Sequence, residues 1–382
     1  ANRIRAICPS TRQARSSRAP KRNARFCCKA RGVNAFLTAF RAPGVRHRLD
    51  MRSELGPILH PQVRGSSRKV GAFCVMSSIG PRDASTAAPD IVEIRRPNPQ
   101  TVPVVLASPH SGRDYPDHFI RQSKLNPLAL RRSEDFLVDQ IFASGPELGM
   151  PIVAARFPRV YCDPNREPYE LDPEMFADRL PPYANIRSVR VACGLGTIAK
   201  VVSDGAEIYR ERLHFSDAEA RLQGCYRPYH RALQNLVTET ADRFGGVLLL
   251  DCHSMPSVGG PMDLDAGLGR KDVVLGDRFG ASCHPRLVLI VETILREVGL
   301  DVGRNTPYAG GHTTQLYGRP AQGLHALQIE INRGLYMDET AIVPESGFGE
   351  LKRRIGESLT RIASTIEPEM LRPPFESALA AQ

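Results

Sequence analysis

The sequence has no tryptophan, few aromatic residues and no Cys-x-x-Cys motif among its nine cysteines. The scattered cysteines indicate neither a disulfide framework nor a cysteine zinc ribbon. They fit a reducing compartment, so we expect a cytoplasmic protein. The sequence also lacks a run of about 18 apolar residues, the length that a membrane span needs. No membrane partner is therefore expected.

Acidic residues are scarce in the first 75 positions, which hold 17 Lys and Arg against 2 Asp and Glu. The rest carries 34 basic and 39 acidic residues, so the net charge of +10 arises entirely in that segment. Its composition favours disorder. Three interpretations are open: a nucleic-acid-binding arm, a transit peptide, or extraneous sequence before Met76. We favour the last, and expect residues 76–382 to form one domain that does not bind nucleic acid.

In residues 76–382, short apolar strands alternate with amphipathic helices, a pattern that predicts one α/β domain. Strands are predicted at 91–94, 104–110, 151–155, 246–253, 272–276 and 325–332, and helices at 133–142, 216–243, 285–298 and 347–366. Ser133 should cap the first helix and a capping box at 216–219 the second, which Pro228 should kink. Residues 173–205 look irregular and are expected to form a lid.

Two of the predicted strands end in a histidine, His110 and His253. Sites in open α/β sheets gather at the carboxyl ends of the strands, so these side chains are candidates for a shared metal. A catalytic zinc takes three protein ligands, commonly histidine and carboxylate. Asp135 is our first choice for the third ligand, with Glu134 and Asp139 as alternatives. These acids could instead only complement the helix dipole.

A carboxylate, Glu330, lies on a strand of otherwise mostly apolar residues. A half-buried carboxylate needs a partner or a raised pKa, so Glu330 is either a general base beside the metal or a partner of Arg333. Asn165 and Arg166 offer an amide and a guanidinium that can hold a carboxylate. Without context, an ordinary arginine in a surface loop is the better interpretation of this second pair.

Six segments in this order resemble N-formylglutamate amidohydrolases: 108–112, 134–139, 163–166, 251–254, 307–311 and 328–333. The resemblance runs from about residue 91 to residue 370. It implies a zinc-dependent amide hydrolase with a three-layer α/β sandwich and a mixed central sheet. This phosphorylase/hydrolase-like fold is related in layout to zinc carboxypeptidases and to acylases of aspartate and succinylglutamate.

The resemblance also implies roles for single residues. His110 and His253 would bind zinc together with an acid from 134–139, and Glu330 would be the general base. Asn165 and Arg166 would hold a substrate carboxylate, and Arg333 is a further candidate contact. The substrate would be a small N-acyl amino acid, first N-formyl-L-glutamate, whose hydrolysis suggests a place in histidine breakdown. The same machinery acting on another N-acyl amino acid is the alternative.

The sequence departs from its relatives at two positions. Arg113 stands where zinc carboxypeptidases carry the glutamate of a His-x-x-Glu pair, which leaves the third metal ligand open between the acids of 134–139. Gln315 stands where some relatives place an arginine, which leaves the substrate contacts of that loop open.

The charge distribution leads to a first prediction. A chain shortened to begin at Met76 should release formate from N-formyl-L-glutamate with unchanged kcat/KM, because the motifs lie after that residue. Steady-state formate assays of both chains check this. Loss of activity together with a salt-sensitive affinity for nucleic acid in the full chain alone would contradict it.

Overall fold

A mixed sheet of seven strands forms the centre of the fold, with the order β1-β3-β2-β4-β7-β5-β6. The strands are β1 (Val92–Arg95), β2 (Val104–Ser108), β3 (Ile152–Ala155), β4 (Val247–Met255), β5 (Val273–Gly276), β6 (Val302–Arg304) and β7 (Leu324–Asn332). Strands β3, β2, β4 and β7 are parallel. β1 is antiparallel to β3, and β5 is antiparallel to β7 and parallel to β6. A separate ribbon pairs β8 (Met337–Asp338) with β9 (Val343–Pro344).

This computed structural model describes residues 91–260, 263 and 265–372. The basic segment 1–75 and the lead-in to residue 90 lie outside the described residues. The interpretations given for them, and the boundary of the domain at residue 76, therefore stay predictions. None of the described helices combines the length and apolarity needed to cross a membrane.

Helices of very different length connect the strands. In the described part of the chain they are α1 (Asp117–Gln122), α2 (Pro127–Leu130), α3 (Val138–Ile141), α4 (Val189–Ala192), α5 (Phe215–Arg221), α6 (Arg227–Phe244), α7 (Pro285–Glu297), α8 (His312–Tyr317) and α9 (Gly347–Thr365). Short 3-10 turns supplement them at Arg131–Ser133, Pro146–Leu148, Pro173–Met175, Pro320–Gln322, Arg333–Leu335 and Pro368–Met370.

Helices cover both faces of the sheet. One face packs its apolar side chains, among them Leu106 and Leu250, against α3, α7 and α9. The other face packs Val105 and Leu249 against α6. Neighbouring strand residues thus enter different cores, as the period of two requires. The arrangement confirms the predicted three-layer α/β sandwich with a mixed sheet.

Strand β4 shows how this fold positions polar groups. All of its residues are buried, because helices cover both faces, and its first residues are therefore continuously apolar. Asp251 and His253 share one face near its carboxyl end. The register with β7 places Gln328 beside Asp251 and Glu330 beside His253. Two neighbouring strands thus bring four polar residues to one edge.

The helix predicted at 133–142 is wrong over its first half. Arg131–Ser133 is a 3-10 turn, and the α-helix begins only at Val138. Asp135 lies in between and donates its backbone N–H to the carbonyl of His110 at 3.1 Å. Leu137 adopts a left-handed φ of 58°, which interrupts a helix. A tertiary hydrogen bond has outweighed the helical propensity of the segment.

The long helix predicted at 216–243 exists but begins earlier and contains a π-helical turn. Its N-cap is His214, whose N–H donates to the carboxylate of Asp217 at 2.9 Å. The turn Leu222–Tyr226 ends two residues before Pro228. Proline has no N–H for the carbonyl four residues earlier, and a π-helical turn accommodates that missing bond.

The packing of β4 yields a stability prediction. Leu250→Ala should lower the free energy of unfolding by about 2–5 kcal/mol, because Leu250 is fully buried in the core below the sheet. Leu289→Ala is the matched control on α7, since Leu289 is 56% exposed, and should change it by less than about 0.5 kcal/mol. Urea unfolding measures both, and equal losses would contradict this account of the core.

Candidate active site

Three electron-donating atoms converge at the carboxyl edge of the sheet. Nδ1 of His110 lies 3.1 Å from Nδ1 of His253. Oδ2 of Asp135 lies 3.3 Å from the former and 3.0 Å from the latter. All three side chains are buried. The strands deliver the histidines, and the turn after the 3-10 helix delivers the carboxylate.

The opposite ring nitrogens of both histidines face carboxylates. Nε2 of His110 lies 2.7 Å from Oδ1 of Asp163, which fixes the proton on Nε2 because a carboxylate only accepts. Nε2 of His253 lies 3.0 Å from Oδ2 of Asp251. These two groups are not aligned for a hydrogen bond, but the negative charge of Asp251 favours a proton on Nε2 of His253. With Nε2 protonated, each Nδ1 can carry a second proton and donate to Oδ2 of Asp135, or leave its lone pair free for a cation.

Two arginines hold Asp135 in place. Nη2 of Arg333 donates to its Oδ1 at 3.1 Å, and Nη1 of Arg159 lies 3.8 Å away. Burial alone would raise the pKa of Asp135, but the hydrogen bonds of His110 and His253 hold it well below its usual range. The carboxylate is therefore ionised. Its Oδ2 faces the same point as Nδ1 of His110 and Nδ1 of His253.

The charges around this point favour a cation. Burial opposes the protonation of His253, but Asp251 and Asp135 together raise its pKa well above the usual value. A field that stabilises an extra positive charge on a buried imidazole also stabilises a metal ion. Two imidazole nitrogens and one carboxylate oxygen, within 4.8 Å of one another, could hold such an ion. Histidines that bind zinc commonly have their other ring nitrogen oriented by a carboxylate, as it is here.

The structure places the other two acids of this segment elsewhere. The carboxylate of Glu134 accepts hydrogen bonds from Arg131 and from the hydroxyl of Tyr115, each at 2.9 Å. Asp139 accepts from Arg113 at 3.1 Å. Among Glu134, Asp135 and Asp139, therefore, Asp135 alone lies with the two histidines.

Glu330 lies on β7 directly opposite His253. Its Oε1 accepts a hydrogen bond from Nε2 of Gln328 at 2.8 Å. Burial raises the pKa of Glu330 to about 7, although His253, Arg159 and Arg333 lower it in part. A carboxyl group that changes its protonation state near neutrality can both accept and donate a proton.

Asn165 and Arg166 lie beside the histidines at the end of the loop that carries Asp163. Nδ2 of Asn165 is 3.3 Å from Nε2 of His253, and its Oδ1 accepts the N–H of Thr313 at 2.8 Å. Arg166 donates Nε to the carbonyl of Leu195 at 2.7 Å and Nη1 to that of Asn165 at 2.8 Å. Nη2 is 3.8 Å from Asp163, beyond hydrogen-bond distance.

A cavity of about 540 Å³ opens onto these groups. Its polar lining includes His110, Asp163, Asn165, Arg166, His253, Gln328, Glu330 and Arg333, with parts of the irregular segment 190–204 opposite. That segment borders the cavity, and its role as a lid stays a prediction. The volume is suitable for a small molecule.

The glycine-rich loop supports this wall of the cavity. A Cβ on Gly311 would lie 2.4 Å from the side-chain amide of Asn165, so glycine is required for the close approach. The N–H of Gly311 donates to Gln328 at 2.8 Å. The loop thus fixes the side-chain amide of Asn165 on one side of Gly311 and that of Gln328 on the other.

Sequence reasoning did not assign a role to Asp163, Asp251 or Arg159. Asp163 links His110 to Arg159, whose Nη2 lies 2.8 Å from its Oδ2. Asp251 had a readable signal, since it stands two residues before His253 on an apolar strand and must share its face. Arg159 had none, because its role depends on the path of the loop.

Comparisons with known proteins bear directly on this site. The family model of N-formylglutamate amidohydrolase matches residues 102–337, which contain every residue of the site described above. The chain belongs to the N-formylglutamate amidohydrolase family. The resemblance read from the six sequence segments is thereby confirmed.

Individual relatives support the assignment. The chain is 30% identical to the N-formylglutamate deformylase of Pseudomonas putida over 242 residues, 63% of this chain and 83% of the relative. The deformylase of Pseudomonas aeruginosa is also 30% identical, over 63% of this chain and 84% of the relative. The crystal structure of N-formylglutamate amidohydrolase from Ralstonia eutropha JMP134 is similar with a TM-score of 0.66 and 37% identity, covering 72% of this chain and 97% of that one.

The position of Asp163 yields a prediction within this family site. Asp163→Asn should lower the free energy of unfolding by about 3 kcal/mol, because it removes the buried charge that balances Arg159. Glu207→Gln removes the exposed partner of Lys124 and should cost less than about 1 kcal/mol. Urea unfolding with a chelator present compares them, and an equal loss would show that Asp163 is not a structural counter-ion.

Proposed function

We propose that this chain is a zinc-dependent hydrolase that cleaves N-formyl-L-glutamate to formate and L-glutamate. The observation that carries the proposal is the convergence of Nδ1 of His110, Nδ1 of His253 and Oδ2 of Asp135, with Glu330 on the adjacent strand. The names of the relatives supply the substrate, and the cavity supplies the room for it.

His110, His253 and Asp135 are the proposed metal ligands. Two imidazoles and one carboxylate are a common zinc set that leaves a coordination position for water. Zinc at this position would lower the pKa of a water molecule and polarise the formyl carbonyl. Arg333 serves this site by holding Asp135, with which it forms a 3.1 Å hydrogen bond.

Glu330 is the proposed general base. Its pKa of about 7 allows it to accept a proton from the attacking water. It then delivers this proton to the leaving nitrogen of the cleaved amide. Gln328 holds the carboxylate in its orientation during both transfers.

Asn165 and Arg166 are the proposed contacts for the substrate α-carboxylate. The Nη2 group of Arg166 makes no hydrogen bond shorter than 3.5 Å within the described residues, so its two N–H groups are available. Asn165 lies against His253, close to where the reacting amide must sit. By holding the α-carboxylate, Asn165 and Arg166 orient the formyl group for reaction. A formamide without a carboxylate should therefore be a poor substrate.

The first test of this proposal is metal content together with formate release from N-formyl-L-glutamate. We expect about one zinc per chain and loss of turnover when a chelator removes it. N-acetyl- and N-succinyl-glutamate serve as matched substrates. Bound zinc with turnover of one of those alone would contradict the formyl specificity, and turnover by metal-free protein would contradict the zinc site.

The role of Glu330 has its own test. Glu330→Gln should lower kcat by at least about 100-fold, because the amide cannot accept the proton, while zinc content stays unchanged. Glu239→Gln, an exposed change on α6, is the matched control and should retain full activity. Retained turnover in Glu330→Gln would show that another group is the base.

A further inference from the structure

We infer that Arg190 binds the side-chain carboxylate of the substrate and thereby determines the preference for glutamate. The inference rests on the proposed function and extends it, since N-formyl-L-glutamate carries two carboxylates and the clamp described above accounts for one. Arg190 belongs neither to the six sequence segments that resemble the family nor to the proposed metal site.

Four arginines line the cavity: Arg159, Arg166, Arg190 and Arg333. Arg159 donates twice to Asp163, at 2.8 and 3.2 Å. Arg333 donates to Ser254, to Asp135 and to the carbonyl of Arg132. Arg333 therefore holds the protein framework, and so does Arg159 apart from its Nη1, which lies 3.8 Å from Asp135. Arg166 leaves its Nη2 for a ligand, and Arg190 leaves its whole guanidinium.

The guanidinium of Arg190 differs from those of the other three arginines in donating no hydrogen bond to any described residue. Its nearest carboxylate is that of Glu170, at 4.0 Å. The short helix α4 presents it, and the hydroxyl of Ser188 caps that helix by accepting the N–H of Val191 at 3.0 Å. An arginine on a capped turn that faces a cavity without a bonded partner is placed to receive an anion.

Arg166 and Arg190 differ in depth in the same order as the two substrate carboxylates. The side chain of Arg166 is 12% exposed and that of Arg190 is 37% exposed, so Arg190 lies nearer the mouth. In N-formylglutamate the α-carboxylate is attached to the carbon that bears the amide nitrogen, whereas the side-chain carboxylate lies two methylene groups further away. The deep arginine therefore suits the first and the outer arginine the second.

The electrostatics of this wall also favour a doubly charged ligand. Burial, together with the positive charges of Arg159 and Arg190 and against the opposing effect of Asp163, lowers the pKa of Arg166 to about 10. Arg190 and Arg166 line the same cavity with like charges, which repel. An anion that contacts both relieves this repulsion, which an uncharged side chain cannot do.

The experiment compares N-formyl-L-glutamate with N-formyl-L-glutamine, which has the same shape without the second charge. Arg190→Gln should lower kcat/KM for the glutamate substrate by about 10- to 100-fold, the range for a hydrogen-bonded charge, and leave kcat/KM for the glutamine substrate unchanged. Arg190→Lys should recover part of the preference. Arg187→Gln, an exposed change in the same segment, is the control and should alter neither value.

Equal losses on both substrates would overturn the inference, because they would assign Arg190 a structural role beside Glu170. No loss on either substrate would overturn it as well. Competitive inhibition gives a second measurement: the variant should bind L-glutamate more weakly and L-norvaline equally well. Failure of the wild-type protein to cleave N-formyl-L-glutamate would instead refute the proposed function, so the two failures are distinguishable.

Discussion

Three lone pairs directed at one buried point are the constraint on which the rest of this structure depends. Two imidazole nitrogens 3.1 Å apart, with a carboxylate oxygen at similar distance, repel one another unless a positive charge lies between them. The fold brings them together regardless, by ending β2 near His110 and β4 near His253. Carboxylates behind the rings and Arg333 behind Asp135 fix this arrangement. Buried charged groups that cost folding free energy in this way are expected at a functional site rather than in a purely structural core.

The fold was largely readable from the sequence, because both sheet faces are covered and buried strands appear as continuous apolar runs. The alternation along 325–332 also gave the face of Glu330 correctly. The segment 133–142 was not readable: its composition suits a helix, yet a hydrogen bond from Asp135 to the carbonyl of His110 and the left-handed Leu137 decide its path. Contacts between distant segments carry no signal in local propensity.

The sequence predicted those site residues that lie at or near the carboxyl ends of strands. His110, His253 and Glu330 could be placed at one edge from topology alone. Asp135 was the first choice from the sequence, but only the structure separates it from Glu134 and Asp139. The groups behind the ligands were missed, since Asp163 and Arg159 reach the site on a loop. The cavity wall at 190–204 shows the same limit: Arg190 has no recognisable motif, and only its position distinguishes it from the many other arginines of the chain.

The occupant of the point between Nδ1 of His110 and Nδ1 of His253 decides whether this cluster is a metal centre. The most direct measurement is anomalous diffraction at the zinc absorption edge from crystals grown without added metal. We predict one strong peak per chain, bonded to Nδ1 of His110, Nδ1 of His253 and Oδ2 of Asp135, at about 2.0–2.2 Å. A peak bonded to Nε2 of either ring, or no peak in crystals of active protein, would contradict the account.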